Sequence, residues 1–456
     1  MAGGELRRFA SDRRGLALDF FVGTGIAALL TLSDTLIQAT ILLPAFVAQL
    51  TESNRIVAVI PAIGIGGWSL SRLLAGSVMQ GRRRRLPWAV AASLVGTAAL
   101  SLLAIVALGS GAGDRDRLLR SFVICYAAYS VAAGFASVPT TSILTKGIVD
   151  QHRGRFFRQR GLWSSGPAVL GALVAARLLG SQGPSFPRDF ALLFLASAVC
   201  SLAAAFFVAI LHEPLRMPAP LQPSLGSAFG SGANALRDPN MRRFLGFRVL
   251  IALVASADPF YVVYAVRELG VGLATVGRFV VVLVVARLVG RVLWAPSTRA
   301  RGERAILQLS SLARLVIPLV ALLVPYLIEG DLLADRVSDE RLTVVLVGAL
   351  VALYGLTIGG QEQANFAYLL DIAPAQRRLG YVGFTNLVLA VAAIAPIGAA
   401  VVIDRAGSRA LFLGVAALAF VAILASGALT ETLVRSRATP SAWRLRGASG
   451  IADRPG

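Results

Sequence analysis

The 456-residue sequence has almost no cysteine, histidine or lysine. Its two cysteines, Cys125 and Cys200, fall inside apolar runs, and its two histidines, His152 and His212, fall in connecting segments. Neither a disulfide framework nor a metal centre can be assembled from them, so no metal and no cofactor is expected. The single lysine, Lys146, lies between Thr145 and Gly147. A phosphate-binding P-loop needs Gly-Lys followed by Ser or Thr, and this chain contains none. Charge of either sign is also scarce, at 15% of residues, where a soluble domain carries about 25%. With hydrophobic residues at 56%, too few ions remain to cover a water-facing surface. That excludes an ordinary globular enzyme and a disordered chain, and predicts a protein whose solvent is mostly lipid.

The charge that is present is one-sided. Lysine and arginine number 44 against 24 acids, a net +20, and all but Lys146 are arginine. A nucleic-acid binder would gather such cations on one soluble face. Here they form short clusters between long apolar runs, so the expected partner is the lipid bilayer and no nucleic acid. A span needs about 20 apolar residues, and twelve are read, at about 18–48, 55–79, 87–110, 120–145, 161–181, 189–211, 244–266, 275–296, 306–328, 342–370, 383–403 and 410–430. The basic start, Arg7, Arg8, Arg13 and Arg14, imitates a signal peptide, but the apolar run behind it continues to about Leu50 and is broken by Asp19 and Asp34, so it reads as the first span. The connector 212–243, with Pro214, Pro218, Pro220 and Pro223, reads as a flexible cytoplasmic linker. It separates a half at 1–211 from a half at 244–430, with a cytoplasmic tail at 431–456. The two ends and alternate connectors hold 27 basic residues against 10 in the opposite connectors. By the positive-inside rule both ends are cytoplasmic, in a multi-pass protein of the cytoplasmic membrane. The densest cluster, Arg82, Arg83, Arg84 and Arg85, reads either as a topology anchor or as a contact for anionic headgroups.

The two halves repeat each other. Ala28-Leu-Leu-Thr-Leu-Ser-Asp34 in span 1 pairs with Ala252-Leu-Val-Ala-Ser-Ala-Asp258 in span 7, and the same shift in numbering carries Arg153 onto Arg377. Arg72-Leu-Leu-Ala in span 2 pairs with Arg287-Leu-Val-Gly in span 8. A duplicated six-span unit about an axis along the membrane normal is a transporter architecture. Twelve spans, cytoplasmic ends, a long central connector and this repeat resemble the major facilitator superfamily. Its mark between spans 2 and 3, Gly-x-x-x-Asp-Arg-x-Gly-Arg-Arg, is similar to Gly76-Ser-Val-Met-Gln80-Gly81-Arg82-Arg83-Arg84-Arg85, with Gln80 where the acid belongs. The echo between spans 8 and 9 keeps Gly302 and Arg304 but has Arg299 in place of the acid. The family's latch, which uses that carboxylate, is therefore not expected in its usual form. Gly166-Pro167 in span 5 resembles part of an antiporter motif and leans the reading toward efflux. The resemblance implies an all-helical polytopic fold of two pseudo-symmetric six-helix bundles, acting as a monomer.

An ionised side chain at the bilayer centre costs about 2.5 to 3.5 kcal/mol on insertion scales, so it persists where it is paired, neutralised or in contact with water. Asp34 and Asp258 hold equivalent places in spans 1 and 7, and Pro259 bends the second. Two readings fit them: uptake of a proton or cation during transport, or a hydrogen-bonded acid joining the halves. Span 10 carries Gln361, Glu362 and Asn365, of which Gln361 and Asn365 share a helix face. Its repeat partner in span 4 offers Thr140 and Thr141. These side chains suit either a polar substrate or bonds between helices. Arg72 and Arg287 are intramembrane partners for acids or for an anion, whereas Arg291, Arg278 and Arg314 are expected to reach the interface. The sequence thus predicts a secondary transporter, not an enzyme, moving an unidentified small molecule by alternating access with proton coupling. Two other readings are the membrane subunit of an ATP-driven importer and a membrane enzyme acting on a lipid-linked substrate.

Overall fold

The computed structural model describes residues 20–111, 113–147, 161, 163–213, 223–329 and 339–431. The N-terminal arginines Arg7 to Arg14, His152 with Arg153, the connector segment bearing Pro214 to Pro220, and the tail beyond 431 lie outside them. Every regular element among the described residues is helical. Nine helical stretches among the described residues are long and apolar enough to cross a membrane alone. The 24-residue helix α5 (Leu86–Gly109), for example, is about 36 Å long at about 1.5 Å per residue, against a hydrocarbon core of about 30 Å. One stretch, Ala375–Gly427, has 53 residues and is interrupted at Gly407 by left-handed backbone, φ 81°. Counted as two, and joined by the shorter apolar helices α1 (Phe20–Leu36) and α7 (Ser165–Leu178), these stretches accommodate the twelve crossings read from the sequence.

The first crossing is not one rod. It runs through α1, an irregular stretch at 37–41, and α2 (Leu42–Leu50). The seventh is also interrupted, nearly two turns earlier in the repeat: α10 (Pro239–Val254), a 3-10 turn at Ala255–Ala257, then α11 (Asp258–Arg267). Asp34 sits just before one break and Asp258 just after the other. Each break frees backbone polar groups that lipid cannot satisfy, so such breaks survive only where they face protein or an aqueous cavity. The second crossing is α3 (Asn54–Pro61), a π-helical stretch at Ala62–Gly67, and α4 (Trp68–Met79). The remaining crossings are α6 (Arg115–Gly147), α8 (Arg188–Ala209), α12 (Leu273–Trp294), α13 (Gly302–Ile328), α14 (Asp339–Ile372), and α15 (Arg378–Ala392) leading into α16 (Ala395–Gly427).

Glycines let the repeat-related pairs α4/α6 and α12/α14 approach closely. A Cβ on Gly134 of α6 would collide with the Trp68 carbonyl, and one on Gly359 of α14 would collide with the Arg287 carbonyl. These two glycines are related by nearly the shift that relates Asp34 to Asp258, so the same crossing is built twice.

The connector between the halves is more ordered than its prolines suggest. Residues Leu225–Arg237 form a further helix, α9, opened by a capping box between Ser224 and Ser227. Small residues on α9 and α15 set their separation: a Cβ on Gly383 would be 3.3 Å from that of Ala228, and Gly380 abuts Ser231. The following crossing starts at Pro239, capped by Asp238, earlier than the apolar run from 244 indicated. The prolines precede the helix instead of interrupting it, and Asp238-Pro239 supplies a cap followed by a first-turn proline.

Candidate functional site

The two repeat-related aspartates have different surroundings. Asp258 Oδ1 accepts from Arg314 Nη1 of α13 at 2.6 Å, and its Oδ2 accepts from the Tyr354 hydroxyl of α14 at 2.9 Å. The Arg314 and Asp258 side chains are 6% and 11% exposed, and the guanidinium lies over the Tyr354 ring at 5.0 Å. Arg314 is therefore an interior counterion and not an interfacial residue. It stands in the middle of α13, too far from either end for its side chain to reach the headgroups. Asp34 Oδ1 also accepts from a tyrosine, the Tyr129 hydroxyl of α6 at 2.9 Å. Among the described residues it has no ion pair, and it remains exposed. Arg287, in the opposite half, is near enough to act on its charge.

Tyr129 and Tyr354 share the shift of the glycine pair, so the Asp–Tyr contact has been duplicated along with the helices. Arg314 has no duplicate: the shift that takes Asp258 back to Asp34 takes Arg314 back to Val90. The sequence carried a signal for the tyrosines in this shared offset, but offset alone does not say that crossings 1 and 4, or 7 and 10, meet at their acids.

The other expected residues are placed as follows. Glu362 is 55% exposed at its side chain and holds Arg287 Nη2 at 2.6 Å. Gln361 and Asn365 are buried, at 4% and 8% exposure, and among the described residues Gln361 Nε2 and Asn365 Oδ1 have no hydrogen-bond partner. Arg72 stacks on Trp68 of its own helix at 4.4 Å and makes no ion pair among the described residues. Thr140 is buried and donates to the Ala136 carbonyl at 2.8 Å, and the Thr141 carbonyl accepts from Thr145. The Thr140 hydroxyl is thus satisfied within its own helix. Gly166 and Pro167 lie in the first turn of α7, and a Cβ on Gly166 would meet nothing within 4 Å, so they form no close crossing. Arg248 of α10 was missed: it lies near the edge of the apolar run, yet the electrostatic fields of Glu362 and Arg314 reach it.

The two ends of the molecule are joined differently. At the end away from Arg82–Arg85, Asp404 accepts from Asn54 Nδ2 and Arg55 Nε, both at 3.1 Å, and Arg267 Nη1 donates to Asn54 Oδ1 at 2.8 Å. Gly277 of α12 lies against Ala176 of α7 there, where an added Cβ would be 3.0 Å from the Ala176 Cα. These bonds tie the first half to the second and close that end. At the basic end, α4 and α15 pack together with α9. Gln80 Nε2 donates to Ser224 Oγ at 2.9 Å, Leu225 N donates to Ser77 Oγ at 3.2 Å, and a Cβ on Gly76 would collide with the Pro223 carbonyl. The residue standing where the resembled motif has its acid thus holds the cap of the connector helix.

The arginine cluster divides. Arg82, Arg83 and Arg84 are exposed, with Arg82 over Trp88 at 5.4 Å. Arg85 is buried; its guanidinium bonds Ser142 and donates to the Met79 carbonyl at 3.1 Å. In the other half Gly302 adopts φ 77°, matching φ 76° at Gly81. Arg304 donates to the Gly427 carbonyl at 2.8 Å and to Glu431 at 3.2 Å.

No protein-family model matches the chain, and no curated protein matches its sequence. Solved structures do match its shape. A nucleoside transporter, NupG, superposes at a TM-score of 0.63 with 14% identity, over 90% of this chain and 98% of that one. A D-xylose–proton symporter gives 0.61 with 13% identity, over 91% and 98%. A bacterial homologue of the iron transporter ferroportin, solved in an inward-facing state, gives 0.63 with 15% identity, over 90% and 98%. At such identities the likeness establishes the fold alone: an all-helical membrane protein in two pseudo-symmetric bundles.

Proposed function

The chain carries the major facilitator fold, and on that premise we propose that it is a secondary active transporter which moves a small molecule between two aqueous faces by alternating access. The halves 1–211 and 244–430 rock about a site at their seam, in the cytoplasmic membrane with both ends cytoplasmic. One chain supplies both walls of the site, so it works as a monomer. With no P-loop in the sequence, the driving force is an ion gradient.

The observation that carries this reading is the difference between the paired acids. Both stand at breaks in repeat-related helices, which is where transporters place substrate and ion sites. Asp258 is paired with Arg314. Asp34 has only a tyrosine hydroxyl and contact with the seam, so it is the group free to load and release a proton. In such a cycle the Asp404–Asn54 end and the basic end part in turn, exposing the site first to one side and then to the other. Uptake and efflux use the same cycle.

Reconstituted protein is therefore expected to move substrate across proteoliposome membranes in response to an imposed pH gradient. A one-unit gradient is worth about 1.4 kcal/mol per proton, or about tenfold accumulation for one proton per substrate. Flux that ignores the gradient would remove proton coupling. Absence of flux for every member of a broad metabolite panel would remove the transporter reading.

A further inference from the structure

The seam holds more positive charge than the pairs described above account for. Once Asp258 and Arg314 cancel, the remaining ionisable groups that act on one another there are Arg248, Arg287, Arg291, Glu362 and Asp34. Arg287 interacts with both Asp34 and Glu362, Arg291 with Arg287 and Glu362, and Arg248 with Glu362. Three guanidinium groups thus share two carboxylates. Only Arg287 forms a contact ion pair; among the described residues neither Arg248 nor Arg291 has a carboxylate within ion-pairing distance. An unbalanced cation inside a bilayer needs a counter-charge or water.

Helix geometry brings a buried amide to the same place. Phe244 of α10 packs on Tyr368 of α14, with ring centroids 5.2 Å apart. Phe244 is in the second turn of its helix and Tyr368 in the last turn of its own, so the two run antiparallel. One turn further along α10 is Arg248. The matching level on α14 lies one to two turns back, at Asn365 and Gln361, on the face that carries Tyr368. Gln361 Nε2 is a donor with no acceptor among the described residues, and the residue is 4% exposed. A buried donor left unpaired marks a group whose partner is supplied from elsewhere.

Resting on the transporter reading above, we propose that the substrate is a small organic anion bearing a carboxylate or a phosphate group. Arg248 and Arg287 hold its charged group, and Gln361 donates a further hydrogen bond. A guanidinium matches planar or tetrahedral oxyanions with paired donors. In the empty carrier Glu362 occupies Arg287 in place of the substrate, and its exposure leaves it free to swing away when an anion arrives. Glu362 is then an internal competitor for the site.

The test uses full-length protein in lipid nanodiscs for equilibrium binding, and in proteoliposomes for counterflow. The probes are radiolabelled succinate and glycerol 3-phosphate, with xylose and uridine as neutral counterparts and choline as the cation. The expected result is saturable binding and exchange of succinate or glycerol 3-phosphate alone. Arg248→Gln and Arg287→Gln should each weaken that binding about tenfold or more, while Arg248→Lys keeps part of it. Glu362→Gln should tighten it, which loss of structure cannot do. Arg409→Gln, at the closed end, should leave it unchanged. Exchange of xylose, uridine or choline without either anion would overturn the anionic substrate and leave the transporter reading intact. Anion binding that is indifferent to Arg248→Gln, Arg287→Gln and Glu362→Gln would overturn the assignment of the residues. A carrier that exchanges none of the five probes would contradict both proposals.

Discussion

Asp34→Asn is expected to abolish proton-driven accumulation while leaving downhill exchange measurable. Asparagine keeps the size of the side chain and can still accept from the Tyr129 hydroxyl, which sits 2.9 Å from Asp34 Oδ1, so the helix break and its packing should survive. What is lost is the ability to change charge. Accumulation driven by a one-unit pH gradient should fall from about tenfold to unity, because no free energy from the proton is then coupled to the substrate. Asp258→Asn should behave differently. It strands Arg314, 6% exposed, without its counterion, and breaking a buried pair from one side costs about 3–5 kcal/mol. Its main effect is therefore on stability, and Arg314→Gln in the same chain should recover much of the loss. If Asp34→Asn accumulates substrate like wild type, the proton is carried elsewhere.

Glu213→Ala should be among the most destabilising single changes outside the seam. Glu213 lies where the first half ends, and its carboxylate accepts from the backbone amides of Arg85 at 2.9 Å and Leu86 at 3.0 Å. Those amides belong to the N-terminus of α5, which has no side-chain cap of its own. The same carboxylate lies 3.8 Å from Lys146 Nζ, with both side chains buried. One group thus satisfies orphan amides at a helix start, favourably placed for the helix dipole, and neutralises the lone lysine. Removing it leaves a buried ammonium and unpaired donors, a loss of about 3–5 kcal/mol. Thermal unfolding of the detergent-solubilised protein, followed by size-exclusion fluorescence, checks this. Glu213→Ala paired with Lys146→Met should regain part of the lost stability, whereas an unchanged unfolding temperature in the single variant would contradict the account.

Much of the architecture was legible because lipid enforces simple rules. Long apolar runs must be helices, and arginine clusters mark the connectors, so the described helices lie within a few residues of the runs read, in an order compatible with twelve crossings. The equivalence of Asp34 and Asp258 was legible because duplication preserved their spacing. Their environments were not. Arg314 lies in the ninth crossing, and nothing in local sequence says that this crossing meets the seventh at Asp258. Arg248 was hidden by its position near the edge of an apolar run, where snorkelling is the ordinary fate of an arginine. Helix periodicity put Gln361 and Asn365 on one face and Glu362 on another, and the first two are buried while Glu362 reaches Arg287; the identity of that partner lay in another crossing and was not legible. The connector helix α9 escaped notice because thirteen residues rich in serine, glycine and alanine look like linker until a partner such as α15 gives their small side chains a surface to pack against.

Alternating access requires the closed end to open, and a covalent tether placed there tests it most directly. Asn54 and Asp404 touch across the halves at 3.1 Å. In a chain carrying Cys125→Ala and Cys200→Ala, cysteines introduced at 54 and 404 can be joined by a short cleavable cross-linker. The account predicts that joining them stops counterflow in proteoliposomes and that reductive cleavage restores it. Undiminished counterflow through the cross-linked carrier would contradict it.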